Sequence, residues 1–357
     1  MNDIRNGVSR RGALAGLSLI LSGCASNWTA RTPQQTQAPI NDEMFVPIGG
    51  IDQWITIHGN SGSNPVVLFL HPGPGVPLSP YEDALYSAWE QDFTLVQWDQ
   101  RGAGRTYGKN PPSGPISIEQ MVDDGVEVAE FLTRRLNTAK IILIGVSWGS
   151  ILGMQMAHRR PDLFYAYIGQ SQVITLMDQS GDADSYARSL AAARAAGDQR
   201  SVDAMIQSQP PWRSGAQWRA YQTVAGPYEV ARVTAPPAPM PVSAAYSGAE
   251  DRAQNAAGMS FSLDNFFGTT ELGPLFRFDL TKLGADFRIP IFLVEGEQDA
   301  LTSPVTARAY FDAVTAREKH FLLIPGAGHG PSLPQLTLTR EILEDVRRRL
   351  IPAIHRA

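Results

Sequence analysis

The sequence predicts an α/β fold: a mostly parallel sheet flanked by helices and interrupted by a helical insertion. Three observations lead there. Short, continuous apolar runs such as residues 65–70 (PVVLFL) and 140–144 (KIILI) suit strands buried on both faces. Stretches of helical period alternate with those runs, the rhythm of a parallel sheet. That rhythm stops near residue 171 and resumes near residue 285. The composition fits such a fold. A chain of 357 residues, 43% hydrophobic and 18% charged, can bury a large core, and it is not disordered, collagenous or coiled-coil. At roughly 100–200 residues per domain, one large domain with an insertion fits best. The 32 glycines and 26 prolines call for many tight turns. A net charge of −5 without basic runs argues against a nucleic-acid partner. A single cysteine excludes an internal disulfide framework and a Cys-rich metal site.

From the amino terminus, Arg5, Arg10 and Arg11 precede an apolar run at 13–21 that ends in Leu21-Ser22-Gly23-Cys24. A positive start, a short apolar run and small residues at its end make a secretory signal over residues 1–23. The run is about half the ~20 residues that span a bilayer. Leu-Ser-Gly-Cys resembles the lipobox of bacterial lipoproteins, which implies lipidation at Cys24 and a membrane anchor facing the periplasm. Ala25 follows the cysteine, which by the same resemblance points to the outer membrane. Ser9-Arg10-Arg11 leaves twin-arginine export open beside the general route. Residues 24–43, rich in Ser, Thr, Gln and Pro, read as a flexible tether.

The body follows as a core at 44–170 and 286–357 around a helical cap at 171–285. Two β-like runs, 44–48 and 51–57, flank Gly49-Gly50 as a hairpin. Strands follow at 65–70 and 93–98. Ile118, Met121, Val122, Val126, Ala129, Leu132 and Leu136 set a helix over 117–136. A strand at 140–144 runs into a helix at 148–158, and 164–168 is a further strand. The cap holds an Ala-rich helix at 185–196, a Pro-rich loop at 236–241 and many aromatics. The alternation then resumes with strand 289–294, helix 304–313, strand 320–324 and a terminal helix at 337–350.

Chemistry concentrates in the loops after these strands, where open α/β sheets build their sites. Gly145-Val146-Ser147-Trp148-Gly149 lies between a buried strand and a helix, the context that makes Gly-x-Ser-x-Gly a nucleophile turn. A serine hydroxyl needs a base. Of the six histidines, His329 in Gly326-Ala327-Gly328-His329-Gly330 follows the last strand and is the candidate base. Asp299, in the loop Glu295-Gly296-Glu297-Gln298-Asp299, is the candidate acid, with Glu297 as its rival. Acyl transfer also needs N–H groups aimed at a developing oxyanion. Trp148, next after the serine, supplies one. In His71-Pro72-Gly73-Pro74-Gly75 the prolines have no N–H, which leaves Gly73 as the central donor. In Asp99-Gln100-Arg101-Gly102-Ala103-Gly104-Arg105-Thr106, the dinucleotide and Walker spacings are absent, so Asp99 and Arg101 read as structural, holding neighbouring loops by ion pairs.

Together these motifs resemble the α/β-hydrolase superfamily, and within it the proline iminopeptidase family, which shows His-Gly-Gly-Pro-Gly, Asp-Gln-Arg-Gly-x-Gly-x-Ser and Gly-Gly-Ser-Trp-Gly-Ser. Pro72, Val146 and Thr106 depart from those strings. The resemblance implies an eight-stranded, mostly parallel sheet under a helical cap. It implies Ser147, Asp299 and His329 as a triad and Gly73 and Trp148 as oxyanion donors. Family aminopeptidases hold the substrate's ammonium with cap glutamates, one of them after a tryptophan. Here Trp218 is followed by Arg219, and Asp264 stands in for such a carboxylate. Trp212, Trp218, Phe266 and Phe267 are candidate walls of an apolar substrate pocket. No metal or organic cofactor is required. The expected substrate is a small peptide, cleaved by an aminopeptidase of the proline iminopeptidase type. An ester hydrolase or lactonase on the same machinery is the alternative, and a catalytically silent ligand-binding lipoprotein is a third. The sequence leaves the oligomeric state open.

Overall fold

The computed structural model describes residues 38–176, 179–228 and 240–351. Eight strands form one sheet: β1 (Ile40–Ile48), β2 (Ile51–Gly59), β3 (Val66–Leu70), β4 (Thr94–Asp99), β5 (Ile141–Val146), β6 (Phe164–Gln170), β7 (Ile291–Gly296) and β8 (Lys319–Ile324). Their order is β1-β2-β4-β3-β5-β6-β7-β8. The β1–β2 and β2–β4 pairs are antiparallel, and all pairs from β4 to β8 are parallel. Central strands are buried along their length because helices cover both faces, as their unbroken apolar runs require.

Between β3 and β4 lies the short α1 (Glu82–Tyr86). The helices α2 (Gly104–Lys109) and α3 (Ile118–Arg135) follow β4, and α4 (Trp148–Arg159) follows β5. Among the described residues four α-helices lie between β6 and β7: α5 (Gln179–Ala195), α6 (Gln199–Gln207), α7 (Gly215–Ala225) and α8 (Ala249–Phe267). Finally α9 (Pro304–Ala313) joins β7 to β8, and α10 (Leu333–Leu350) follows β8. Ser117, Ser214, Ser303 and Ser332 each accept a backbone N–H at the start of α3, α7, α9 and α10. Such caps are typically worth about 1 kcal/mol. Among the described residues no helix is long and apolar enough to cross a membrane.

Two differences from the sequence reading stand out. The tether was expected to run to residue 43, but β1 begins at Ile40, paired with Gly59 of β2. The polar run Asn41-Asp42-Glu43 has low strand propensity, yet it lies on an edge strand half open to water, where the nine-residue β2 supplies its partners. The last helix begins at Leu333, four residues early, because Ser332 caps it and Pro334 occupies its first turn. The signal segment, Cys24 and most of the Pro-rich loop lie outside the described residues.

Candidate active site

Four loops meet at the carboxyl ends of parallel strands: those after β3 (Gly73), β5 (Ser147), β7 (Asp299) and β8 (His329). Ser147 sits between β5 and α4 with φ +50° and ψ −114°, a conformation that non-glycine residues seldom adopt. Holding it costs on the order of 1–3 kcal/mol, supplied by the surrounding packing. The turn is closed by two glycines. A Cβ on Gly145 would lie 2.7 Å from the Gly149 oxygen, and one on Gly149 would lie 2.0 Å from the Leu70 oxygen. Position 146 has no such constraint, and Val146 is accepted half-buried.

The sharp turn aims the Ser147 hydroxyl at His329. Its Oγ lies 3.0 Å from Nε2. On the other side of the ring, Nδ1 is 2.9 Å from Oδ2 and 3.1 Å from Oδ1 of Asp299. Asp299 is fully buried. The backbone N–H groups of Leu301 and Thr302 donate to its Oδ1 at 2.9 and 2.7 Å, and the Thr302 hydroxyl donates to Oδ2 at 2.7 Å. Burial alone would push this carboxyl up. The charge and hydrogen bond of His329, with the donors of Thr302, hold it below the usual carboxylate range. An anionic Asp299 accepts the Nδ1 proton, which leaves Nε2 with a lone pair facing Ser147.

The rival acid is engaged elsewhere, for Glu297 accepts the Gly326 N–H at 2.8 Å. Glu295, also fully buried, takes the Gln172 N–H between its two oxygens at 3.1 and 3.2 Å. Burial, then the Asp299 charge, pushes its carboxyl well above the usual carboxylate range.

The loop after β3 requires Gly73, whose φ is +125° and whose Cβ would meet the Gly75 and Val76 nitrogens at 2.7 and 2.8 Å. The Trp148 N–H opens α4, where a helix offers it no acceptor of its own. His71 binds this loop to its neighbour: Nδ1 donates to the Pro72 oxygen at 2.7 Å, and Nε2 accepts the Gln100 N–H at 3.3 Å. Burial pushes its imidazole down to about 4, so it is neutral. Gln100 in turn accepts the Trp148 indole N–H at 2.9 Å.

Beside Ser147 lies a cavity of about 110 Å³ lined by Gly73, Trp148, Ile151, Val173, Leu176, Trp218, Leu263, Phe267, Leu275, Leu301 and Thr302. Trp218 and Phe267 stack at 4.2 Å and 16° as part of its wall. The other three candidate substrate residues are elsewhere. Trp212 donates to the Ser208 oxygen and packs on Tyr221 inside the helical insertion. Phe266 turns its ring onto that of Trp148, at 4.4 Å. Asp264 is half-exposed and pairs with Arg219 at 3.0 Å. The neighbours Phe266 and Phe267 part because consecutive residues of a helix point about 100° apart. Asp264 lies four residues from Gly268, on the side of α8 where Arg219 also caps the helix through the Leu263 and Gly268 oxygens.

Arg101 forms the expected ion pair, a two-pronged contact with Asp124. Among the described residues Asp99 pairs with no basic side chain. It takes the Ser79 hydroxyl and the Arg105 backbone N–H, and burial pushes it up to about 6. Sequence reasoning missed Thr302, which touches both the acid and the cavity, because nothing about a lone threonine marks it. The aliphatic wall residues carry only the apolar signal of any core. Among the described residues no three His, Cys, Asp or Glu side chains gather as metal ligands would.

A family model described as the alpha/beta hydrolase fold matches residues 65–334. A probable aminopeptidase, YbaC of Bacillus subtilis, is 28% identical over 311 residues, covering 86% of this chain and 95% of that protein. The proline iminopeptidase of Lactobacillus delbrueckii subsp. bulgaricus is 22% identical over 309 residues, covering 85% and 96%. Among solved structures, a proline iminopeptidase of Mycobacterium smegmatis superposes with a TM-score of 0.62 at 20% identity, covering 86% of this chain and 98% of that one.

Proposed function

The chain belongs to the α/β-hydrolase fold family, and from that premise we propose that it is a serine hydrolase working through an acyl-enzyme. The observation that carries this reading is the continuous hydrogen-bonded line from Ser147 through His329 to buried Asp299. Ser147 Oγ attacks the acyl carbon while His329 Nε2 takes its proton. The Gly73 and Trp148 N–H groups hold the oxyanion. His329 then passes the proton to the leaving group, and water releases the acyl group by the same steps in reverse order.

For the substrate we favour a small amino-terminal residue, such as proline, released from a peptide. The near full-length likeness to a probable aminopeptidase supports it, and the compact cavity suits a ring of that size. A second reading, hydrolysis of short esters or lactones, is favoured by a different observation. The cavity wall carries no charged side chain among the described residues, and Asp264 is committed to Arg219. An ammonium gains about 1.5–3 kcal/mol from a charged partner, whereas a neutral acyl group needs none. In both readings α5–α8 act as a cap that shapes the acyl pocket.

A fluorophosphonate probe should label the wild type and not Ser147→Ala, and an unlabelled wild type would end the serine-hydrolase reading. A panel of proline arylamide against acetyl and butyryl esters then separates the substrates. Ester turnover without arylamide cleavage leaves the esterase. The Leu-Ser-Gly-Cys string further supports export as a lipoprotein anchored at Cys24. The mature protein should then begin at that cysteine and sediment with membranes, and mass spectrometry finding residues 1–23 on it would refute this.

A further inference from the structure

One face of α8 touches both loops that carry the oxyanion donors. Phe266, fully buried, lays its ring on that of Trp148 at 4.4 Å and 46°. One turn earlier, the buried Ser262 donates to the Gly102 oxygen at 2.8 Å. A Cβ on Gly75, in the Gly73 loop, would meet Ser262 Cβ at 2.8 Å, Met259 Cα at 2.9 Å and the Gly258 oxygen at 3.1 Å. One turn earlier again, a Cβ on Gly258 would lie 3.0 Å from the Gly102 oxygen and 3.1 Å from Tyr107. Residues 258, 262 and 266 recur at i, i+4 and i+8, so they form a single row. The Trp148 indole N–H is held by Gln100, and the Gln100 backbone N–H donates to His71, which holds the Gly73 loop. Two loops from separate strands thus contact both α8 and the Gln100 loop.

We propose that α8 is a positioning element of the oxyanion hole, acting through Phe266 on Trp148 and through Ser262 and Gly258 on the Gly73–Gly75 loop. The proposal rests on the serine-hydrolase reading above. The helix does more than roof the substrate. Leu263 and Phe267, on the adjoining face, wall the cavity, so the helix that the acyl group touches also sets the two N–H groups. Oxyanion donors work through distances fixed before reaction. A shift of about 1 Å there can cost up to 10²-fold in turnover.

The test uses the whole chain with a butyryl ester, with active sites counted by fluorophosphonate titration. It also uses a butyl trifluoromethyl ketone. Ser147 Oγ adds to its carbonyl carbon, the C=O pair becomes the oxyanion, and the serine proton passes to His329. Phe266→Ala is expected to lower kcat per active site by about 10–100-fold with KM changed less than threefold, and to weaken the ketone in parallel. Phe266→Leu, which keeps most of the buried volume, should recover much of both and guards against misfolding. Ser262→Val, which adds bulk where Ser262 Cβ meets the Gly75 position, should show a smaller loss of the same kind. Val346→Ala, buried in α10 and outside both the cap and the cavity wall, is the matched destabilised control and should leave kcat per site unchanged. Unchanged kcat per site in Phe266→Ala and in Ser262→Val, or a rise in KM alone, would overturn the proposal. Failure of the wild type to take up the fluorophosphonate would instead reject the serine-hydrolase reading, and this inference with it.

Discussion

Replacing Asp124 by Ala should destabilise this protein more than any change at an exposed ion pair. Arg101 Nε lies 2.8 Å from Asp124 Oδ2 and Arg101 Nη2 lies 3.0 Å from Oδ1, with the two side chains only 9% and 2% exposed. Nη2 also donates to the Gly49 oxygen, and Gln53 donates to Asp124 at 2.8 Å. The pair therefore ties the β1–β2 turn to α3 and to the loop after β4. Burial pushes the Asp124 carboxyl up, and Arg101 and Gln53 only partly offset this. The pair is thus no net gain over apolar residues, but removing one member strands the other charge. Stranding a buried charge costs about 3–5 kcal/mol. With an unfolding entropy near 2.1 cal/mol/K per residue over the roughly 300 described residues, that is a fall of about 5–8 °C in Tm. Urea and thermal unfolding of Asp124→Ala and of the pair Arg101→Met with Asp124→Leu would measure it. The double variant should recover most of the loss. A single variant losing under about 1 kcal/mol, or a double variant no better than the single, would refute the reasoning.

Three further outcomes follow from the geometry. Gly149→Ala should lose active sites by fluorophosphonate titration and soluble yield, since its Cβ would sit 2.0 Å from the Leu70 oxygen of a central strand; full labelling would show that the turn can relax. Asp299→Asn should keep the fold but lower turnover by up to about 10⁴, because Nδ1 then lacks the anion it faces at 2.9 Å; steady-state kinetics at matched stability checks it. His58 should make stability fall as pH rises. Burial would lower its pKa, but the hydrogen bond and charge of Glu82, with Glu43 and Glu90, raise it above 6.5. Its contribution is complete below the unfolded value and is lost as pH climbs through the folded one. Urea midpoints across that range should slope downward, and His58→Gln should flatten the slope.

The alternation of apolar runs and helical periods was enough to predict a parallel α/β sheet, because strands buried on both faces must be apolar throughout. Gly145-Val146-Ser147-Trp148-Gly149 and the loops bearing Asp299 and His329 were legible for a related reason. Chemistry at the ends of strands needs tight turns, and tight turns need glycine at set places, as Gly145 and Gly149 show. The cap resisted reading. Its helices pack by aromatic and aliphatic contacts that any helical core shares, so Trp212, Trp218, Phe266 and Phe267 look alike in the chain. Only the rotation of α7 and α8 in space sends Trp218 and Phe267 to the cavity, Phe266 to Trp148 and Trp212 into the insertion. Asp264 met Arg219 by the same means, a pairing between helices that no local pattern records. Thr302 acquired its partners because the loop after β7 folds back to seat its hydroxyl on Asp299. Periodicity and turn chemistry are local and survive in the one-dimensional string. Which faces meet across sequence separations of tens to hundreds of residues is set by packing of the whole core, and only the tertiary structure decides it.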